Sequence, residues 1–177
     1  LGSRGLGDVY KRQAEIYDTV GTTRTFQTYT GRYVEETGSR YGWKIDVEAE
    51  TKGLRETLAS GRSQERIPEF SQTGAAYTKS DDIGYSYVEV DLTNQHVYLI
   101  VSGKLVTDSP CVTGCVKNGH GTPDGLYSVT YKESPSVLRG EDYETKVNFW
   151  MPFNRGIGLH DATWRSAVSY THLTLPT

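Results

Sequence analysis

Residues 85–101 read YSYVEVDLTNQHVYLIV, and this stretch decides the fold. Its first half alternates apolar and polar side chains, its second half from His96 to Val101 is largely apolar, and Thr93-Asn94-Gln95 lies between them. This period of two around a turn predicts a β-hairpin. After Ser102-Gly103, further extended segments are predicted at 104–113, 125–131, 147–151 and 157–160. The sequence therefore predicts a mainly β domain, a β-sandwich or an open barrel.

The chain before this hairpin predicts a small α+β unit. β-like runs at 25–29 and 33–35, separated by Gly31, predict a second hairpin. Asp46 is a predicted helix cap and Gly61 a predicted helix end, with Glu48 and Glu50 in the acidic first turn and with Val47, Leu54 and Leu58 near one face. The polar stretch from Ser60 to Asp82 contains Pro68 and Gly74 and is predicted to be a linker.

Composition excludes several classes of protein. The 177 residues carry a formal net charge of -3, so there is no broad basic surface and a nucleic-acid partner is not expected. No apolar run in the sequence is long enough to span a bilayer. Tyrosine is abundant, with 13 residues against a single methionine, and 19 glycines supply turn positions; both favour strands over helix bundles.

Both ends of the chain are expected to be non-native. Residues 1–13 and 169–177 lack useful periodicity and resemble translated adapter sequence, so fold prediction leaves them out. The remaining chain divides into a unit at 14–80 and a unit at 81–168.

Three motifs in the second unit occur in a recognisable order. They are YVEVDLTNQH at 87–96, HGTPDG at 120–125 and IGLHDATWR at 157–165. Together they resemble the catalytic domain of L,D-transpeptidases, also called the YkuD-type domain. The segment from Phe26 to Tyr77 resembles the end of a peptidoglycan-binding domain that precedes such catalytic domains in some Gram-positive bacteria. The resemblance implies an L,D-transpeptidase-like fold for 81–168, and it implies that this fold is incomplete.

The resemblance also implies a reaction. In this family a cysteine thiolate attacks a tetrapeptide stem of peptidoglycan, terminal D-Ala leaves, and an amine of a neighbouring stem accepts the acyl group. No cofactor and no metal are expected. The expected partners are peptidoglycan stem peptides, with carbapenem-type β-lactams as inhibitors of the intact enzyme. The expected location is the cell wall on the extracellular face, with the parent protein anchored to the plasma membrane upstream.

His160 matches the family histidine that serves as general base. A neutral imidazole accepts the thiol proton, and its protonated form stabilises the thiolate. The family then requires Ser or Thr, His, Gly and Cys, a run that the 177 residues do not contain, because Leu173-Thr174 follow Thr171-His172. The chain is therefore expected to end before the nucleophile and to be inactive as it stands.

Six further residues are predicted to bind substrate. Trp164 matches an aromatic residue near the family's substrate cleft, with packing as the alternative role. Phe149, Trp150 and Met151 are expected to line the same cleft, although their alternation favours a core role for at least one of them. Asp161 completes the set with His120, which is expected chiefly to shape the loop beside the site.

Cys111 and Cys115 are the only cysteines and support weaker alternatives. Cys111 is expected to be a buried strand residue and Cys115 to be exposed, with a disulfide between them left open. A metal site combining them with His120 and His160 matches no common zinc spacing. Two other functions remain: a non-catalytic cell-wall binding module, and a thiol hydrolase that uses Cys115 with His120 or His160.

Overall fold

The computed structural model describes residue 12 and residues 14–63, 65–77, 81–140, 143–164 and 171–174. The start predicted to be non-native, 1–13, lies outside the described residues except for residue 12. Contacts divide the chain into two units, 1–24 with 37–84 and 25–36 with 85–177. Residues 25–36 thus group with the second unit, whereas the sequence places them in the first. No helix in the described ranges is both long enough and apolar enough to cross a membrane.

The first unit contains one long helix beside a short strand pair. Strand β3, Lys44–Ile45, pairs antiparallel with β4, Phe70–Gln72, which lies within the predicted linker. Helix α1 covers Val47–Ser60, and its predicted ends are confirmed. The Asp46 carboxylate accepts a hydrogen bond from the Ala49 N–H at 2.9 Å, and Gly61 takes the left-handed conformation with φ of 63°.

The residues predicted to lie near one face of α1 do not form its buried face. Val47 and Leu58 are exposed, whereas Glu50 is buried. The Glu50 carboxylate lies 3.1 Å from the Arg66 guanidinium and accepts the Glu69 N–H at 3.0 Å. These bonds satisfy the buried charge, so the helix packs through a charged contact that hydrophobic periodicity does not detect.

The second unit contains a six-stranded open sheet and two hairpins. The first hairpin pairs β1, Arg24–Gln27, with β2, Tyr33–Glu36, and confirms the prediction. The sheet contains β5, Tyr87–Asp91; β6, His96–Val101; β7, Lys104–Val112; β10, Trp150–Asn154; β11, Ile157–His160; and β12, Thr171–Thr174. Its order is β10-β11-β12-β7-β6-β5, and β8, Ser136–Arg139, pairs separately with β9, Glu144–Val147. The fold is mainly β with unclosed sheets, as predicted.

Two strand predictions are wrong. Residues 125–131 form no strand, although the Thr130 N–H donates to the Pro152 carbonyl of β10 at 2.8 Å. The predicted strand 147–151 is broken between β9 and β10, because the N–H groups of Asn148 and Phe149 both donate to the Asp161 carboxylate instead of to a neighbouring strand. A side chain outside the run therefore decides its conformation.

Strand register places His160 on β11, an interior strand of the sheet that lies next to the edge strand β10. His160 is opposite Trp150 on β10 and opposite residue 172 on β12, which in turn is opposite Val112 on β7. Directly opposed residues share a face of a sheet, and successive residues alternate between faces. His160, Trp150 and Val112 therefore share one face, and Cys111 lies on the other. Strand β12 falls in a stretch that fold prediction left out.

Candidate active site

His160, the last residue of β11, is the candidate base and is almost completely buried, with 2% of its surface exposed. Its Nδ1 lies 2.7 Å from the backbone carbonyl oxygen of Asp161. A carbonyl oxygen can only accept, so Nδ1 must carry the proton in this bond. In the neutral ring the basic lone pair is therefore on Nε2. The backbone thus fixes which nitrogen can take up a proton.

Two indole rings flank the imidazole. The Trp164 ring is stacked on it, with ring centroids 5.9 Å apart and an interplanar angle of 23°. The Trp150 ring is tilted by 50° at a centroid distance of 6.1 Å. Burial among these rings lowers the pKa of His160 below its ordinary value, although the bond to the Asp161 carbonyl and the Asp161 charge oppose this change. The ring is therefore kept neutral, the form that accepts a proton.

The Asp161 side chain points to the connection between β9 and β10. Its Oδ1 accepts the backbone N–H of Asn148 and that of Phe149, each at 2.8 Å. Its Oδ2 accepts the Asn148 side-chain amide, also at 2.8 Å. The residue therefore contacts the imidazole through its carbonyl and the loop at 148–149 through its carboxylate.

Four other residues predicted to bind substrate lie in different environments. Trp150 is 6% exposed and packs with Leu138 and Val147, which makes it a core residue. Met151 is opposite Leu159 and lies on the sheet face away from His160. Phe149 and Trp164 remain accessible, 57% and 50% exposed. A substrate-contact role therefore remains a prediction, and accessibility favours it for Phe149 and Trp164.

His120 belongs to a loop that is joined to the end of β7. Its N–H donates to the Cys115 carbonyl at 3.0 Å, and the Gly114 N–H donates to Thr122 Oγ1 at 2.9 Å. A Cβ at Gly114 would lie 2.0 Å from the His120 carbonyl oxygen, so only glycine permits this approach. These bonds join the loop to the end of β7, and a role of His120 in shaping the site remains a prediction.

Both cysteines are free thiols, and their environments differ. Cys111 is buried, and this burial raises the pKa of its thiol to about 11. A thiol with that pKa is protonated at neutral pH and is a poor nucleophile. Cys115 is exposed, immediately before the 3₁₀ helix Val116–Asn118. Among the residues that the structure describes, no group of three or more His, Cys, Asp or Glu side chains is placed to hold a metal ion.

Two residues whose side chains make structural hydrogen bonds were not predicted from the sequence. Asn148 anchors the loop to Asp161; the signal for it was a short polar residue that interrupts the alternation of 147–151. Gln95 has φ of 52°, and its side-chain amide exchanges hydrogen bonds with Thr113 at 2.7 and 2.8 Å. The only indication of Gln95 in the sequence was its position in the predicted turn.

Comparisons with known proteins agree on one family. The model of the L,D-transpeptidase catalytic domain, YkuD, matches residues 85–172. A crystal structure of a cysteine-to-serine mutant of Enterococcus faecium L,D-transpeptidase is 26% identical with a TM-score of 0.74, and the match covers 99% of this chain and 75% of that one. An avibactam carbamoyl enzyme, Ldtfm, also an E. faecium L,D-transpeptidase, is 27% identical with a TM-score of 0.74, covering 96% and 67%.

A third structure has a higher sequence identity to this chain than these two. It is the NMR structure of the catalytic domain from E. faecium L,D-transpeptidase, 31% identical with a TM-score of 0.44, and the match covers 54% of this chain and 84% of that one. No curated protein sequence matches the chain.

Proposed function

This chain belongs to the L,D-transpeptidase family, and from that membership we propose that His160 is the general base of a cysteine acyl transfer on peptidoglycan stems. The single observation that carries the proposal is the bond from His160 Nδ1 to the Asp161 carbonyl, which leaves Nε2 as the proton acceptor. Burial maintains the neutral ring at physiological pH by lowering its pKa. The position is therefore organised for proton transfer as well as for packing.

The proposed reaction has two halves. His160 Nε2 takes the thiol proton while sulfur attacks the carbonyl carbon before the terminal D-Ala, and the same proton then passes to the leaving amine nitrogen. This breaks the amide bond and forms a thioester. In the second half, an amine of a neighbouring stem attacks the thioester, the thiol is regenerated, and a new amide joins the two stems. Protons and bonds balance without any cofactor.

We assign the nucleophile to the cysteine of the family's Ser/Thr-His-Gly-Cys run rather than to Cys111 or Cys115. Cys111 lies on the sheet face opposite to that of His160, and its thiol is protonated at neutral pH. The solved relatives include a cysteine-to-serine mutant and a carbamoyl enzyme formed with avibactam, which supports a reactive cysteine in such proteins. On the same basis, carbapenems are proposed as covalent inhibitors.

The substrate is proposed to contact the two accessible aromatic side chains around the base. Phe149 and Trp164 are half exposed, and Trp164 lies against the imidazole itself. Flat apolar rings of this kind suit the backbone and aliphatic parts of a stem peptide. Since peptidoglycan lies outside the membrane, the proposed location is the extracellular face at the cell wall, with membrane anchoring upstream and peptidoglycan binding by the first unit as further proposals.

Two experiments test this assignment. Sequencing the native gene past the codon for Ala167 should reveal a Ser/Thr-His-Gly-Cys run; any other sequence there removes the proposed nucleophile. Intact-mass spectrometry with ertapenem should then show one adduct on the native gene product and none on its cysteine-to-alanine variant.

The 177-residue chain serves as the control. It should remain unmodified by ertapenem. An adduct that Cys115→Ala abolishes would instead support a hydrolase that uses Cys115, and sedimentation with purified sacculi without any acylation of the native product would support a binding module.

A further inference from the structure

Asp161 was predicted to bind substrate, but its polar atoms are turned toward the protein. The carboxylate accepts three hydrogen bonds, from the N–H of Asn148, the N–H of Phe149 and the Asn148 amide, all at 2.8 Å. Its carbonyl accepts the fourth, from His160 Nδ1 at 2.7 Å. Oδ1 alone receives two donors, which uses both of its lone pairs. This pattern is that of an anchor rather than of a ligand-binding carboxylate.

Asp161 makes both the carboxylate bonds to the loop at 148–149 and the carbonyl bond to His160, so a change in one affects the other. The position of the Asp161 carbonyl depends on the backbone torsions of residue 161, and the side chain is held by two consecutive backbone amides. Those amides lie at the junction of β9 and β10, and β10 pairs with β11 through Trp150 and His160. The Asp161 carboxylate therefore connects the loop at 148–149 to the residue that follows His160, and strand pairing connects the end of that loop, Trp150, back to His160.

We infer that Asp161 is a positioning residue: by holding the loop at 148–149, its carboxylate keeps its own carbonyl on His160 Nδ1 and so selects Nε2 as the base. The inference rests on the proposed function only in calling His160 the base; the selection of the tautomer stands on its own geometry. Without the carbonyl, a neutral imidazole in water distributes its proton between both nitrogens and loses the fixed acceptor. The carboxylate therefore influences the proton acceptor without touching the substrate.

The test uses two-bond ¹H–¹⁵N NMR of the His160 ring, with amide hydrogen exchange at Asn148 and Phe149, in the 177-residue chain. At a pH above the pKa of His160, the unsubstituted 177-residue chain should show a protonated Nδ1 and an unprotonated Nε2. Its amides at 148 and 149 should be protected from exchange. Asp161→Ala should expose both amides to exchange and shift the ring toward the Nε2-protonated form. Asp161→Asn keeps an Oδ1 that accepts both amides, so it should retain the parent tautomer.

Asn148→Ala is the matched control, because it removes the bond to Oδ2 alone and should leave the tautomer unchanged. If Asp161→Ala does not fold, Asp161→Ser replaces it, since its shorter hydroxyl does not reach both amides. A folded variant whose amides exchange freely while the ring keeps its parent tautomer would overturn the inference. Amides that stay protected in a folded Ala or Ser variant would overturn it as well, because the carboxylate would then not be what holds the loop.

Failure of this inference is distinguishable from failure of the proposed function. The NMR readout needs no thiol, so it is unaffected if ertapenem forms no adduct. Conversely, normal acylation of the native gene product carrying Asp161→Ala, with an unchanged pH profile, would refute the positioning role and leave the general-base assignment intact.

Discussion

The indole of Trp164 is stacked on the imidazole of His160, with ring centroids 5.9 Å apart and planes 23° from parallel. The outer face of Trp164 is accessible, since half of the residue is exposed, whereas His160 is almost fully buried. Trp164 therefore covers one face of the imidazole and separates it from solvent. The position of Trp164 therefore affects both how deeply the imidazole is buried and which protonation state of the imidazole is favoured.

Removing this cover is predicted to raise the pKa of His160 toward its ordinary value of 6.5. Burial is the main cause of the lowered pKa, so Trp164→Ala should admit water and favour the charged ring. Trp164→Phe keeps an aromatic ring and should shift the midpoint less. NMR titration of the His160 imidazole measures the midpoint in each variant. A midpoint that falls in Trp164→Ala would mean that attraction between indole and imidazolium outweighs desolvation, contrary to this account.

The same lowered pKa predicts a pH dependence of stability. The folded pKa lies below the unfolded value, so the unfolded chain binds more protons and the free energy of unfolding decreases as pH falls from about 6.5 through the folded pKa. Above about pH 6.5 this contribution is fully present. Denaturant titrations at several pH values measure the free energy of unfolding. Between about pH 6.5 and the folded pKa, this free energy should fall more steeply with decreasing pH in the unsubstituted chain than in His160→Phe. Identical pH dependence would show that His160 does not titrate abnormally.

Gly158 is predicted to tolerate no side chain. A Cβ there would lie 2.7 Å from both the Trp150 ring and the Met151 carbonyl oxygen. Gly158→Ala should therefore reduce the free energy of unfolding by about 1–3 kcal/mol through overpacking. Gly121→Ala is the control, since its nearest neighbour is the Val116 side chain at 3.4 Å. Equal effects of the two substitutions on the denaturation midpoint would refute this packing argument.

Sequence patterns predicted the parts of the fold that local chemistry decides. The caps of α1 depend on Asp46 and Gly61, and both ends of the helix were found. The hairpin from β5 to β6 depends on alternation around a turn and was also found, although β5 covers Tyr87–Asp91 and is shorter than predicted at both ends. The break at 148–149 and the buried Glu50 were missed, since each depends on partners 12 to 19 positions away. The motif around His160 predicted this residue as the base, but the choice between its two ring nitrogens depends on a backbone contact that the motif does not reveal.

The pair of Glu50 and Arg66 is predicted to stabilise the first unit. The Glu50 side chain is 3% exposed, so Arg66→Ala would leave a buried charge uncompensated and reduce the free energy of unfolding by about 3 kcal/mol. The matched control is Arg139→Ala, because Arg139 and Glu144 form a pair whose side chains are 68% and 62% exposed. It should change stability by less than about 1 kcal/mol. Similar losses in both variants would contradict the distinction between buried and exposed pairs.

The two thiols are predicted to react at very different rates. At pH 8 a disulfide reagent such as DTNB should modify the exposed Cys115 rapidly, whereas buried Cys111, with its pKa raised to about 11, should react after unfolding. The native parent chain should release one equivalent of chromophore, and Cys115→Ser should release none until denaturant is added. Rapid labelling of Cys111 in the folded protein would reopen it as a candidate nucleophile.

The most direct measurement of the central claim is the pH-dependent rate at which ertapenem acylates the native gene product, compared with its His160→Gln variant. If Nε2 of His160 is the general base, the substitution should slow acylation by about 100-fold or more and abolish the lower limb of the pH profile. Equal rates and profiles in the two folded proteins would contradict the assignment.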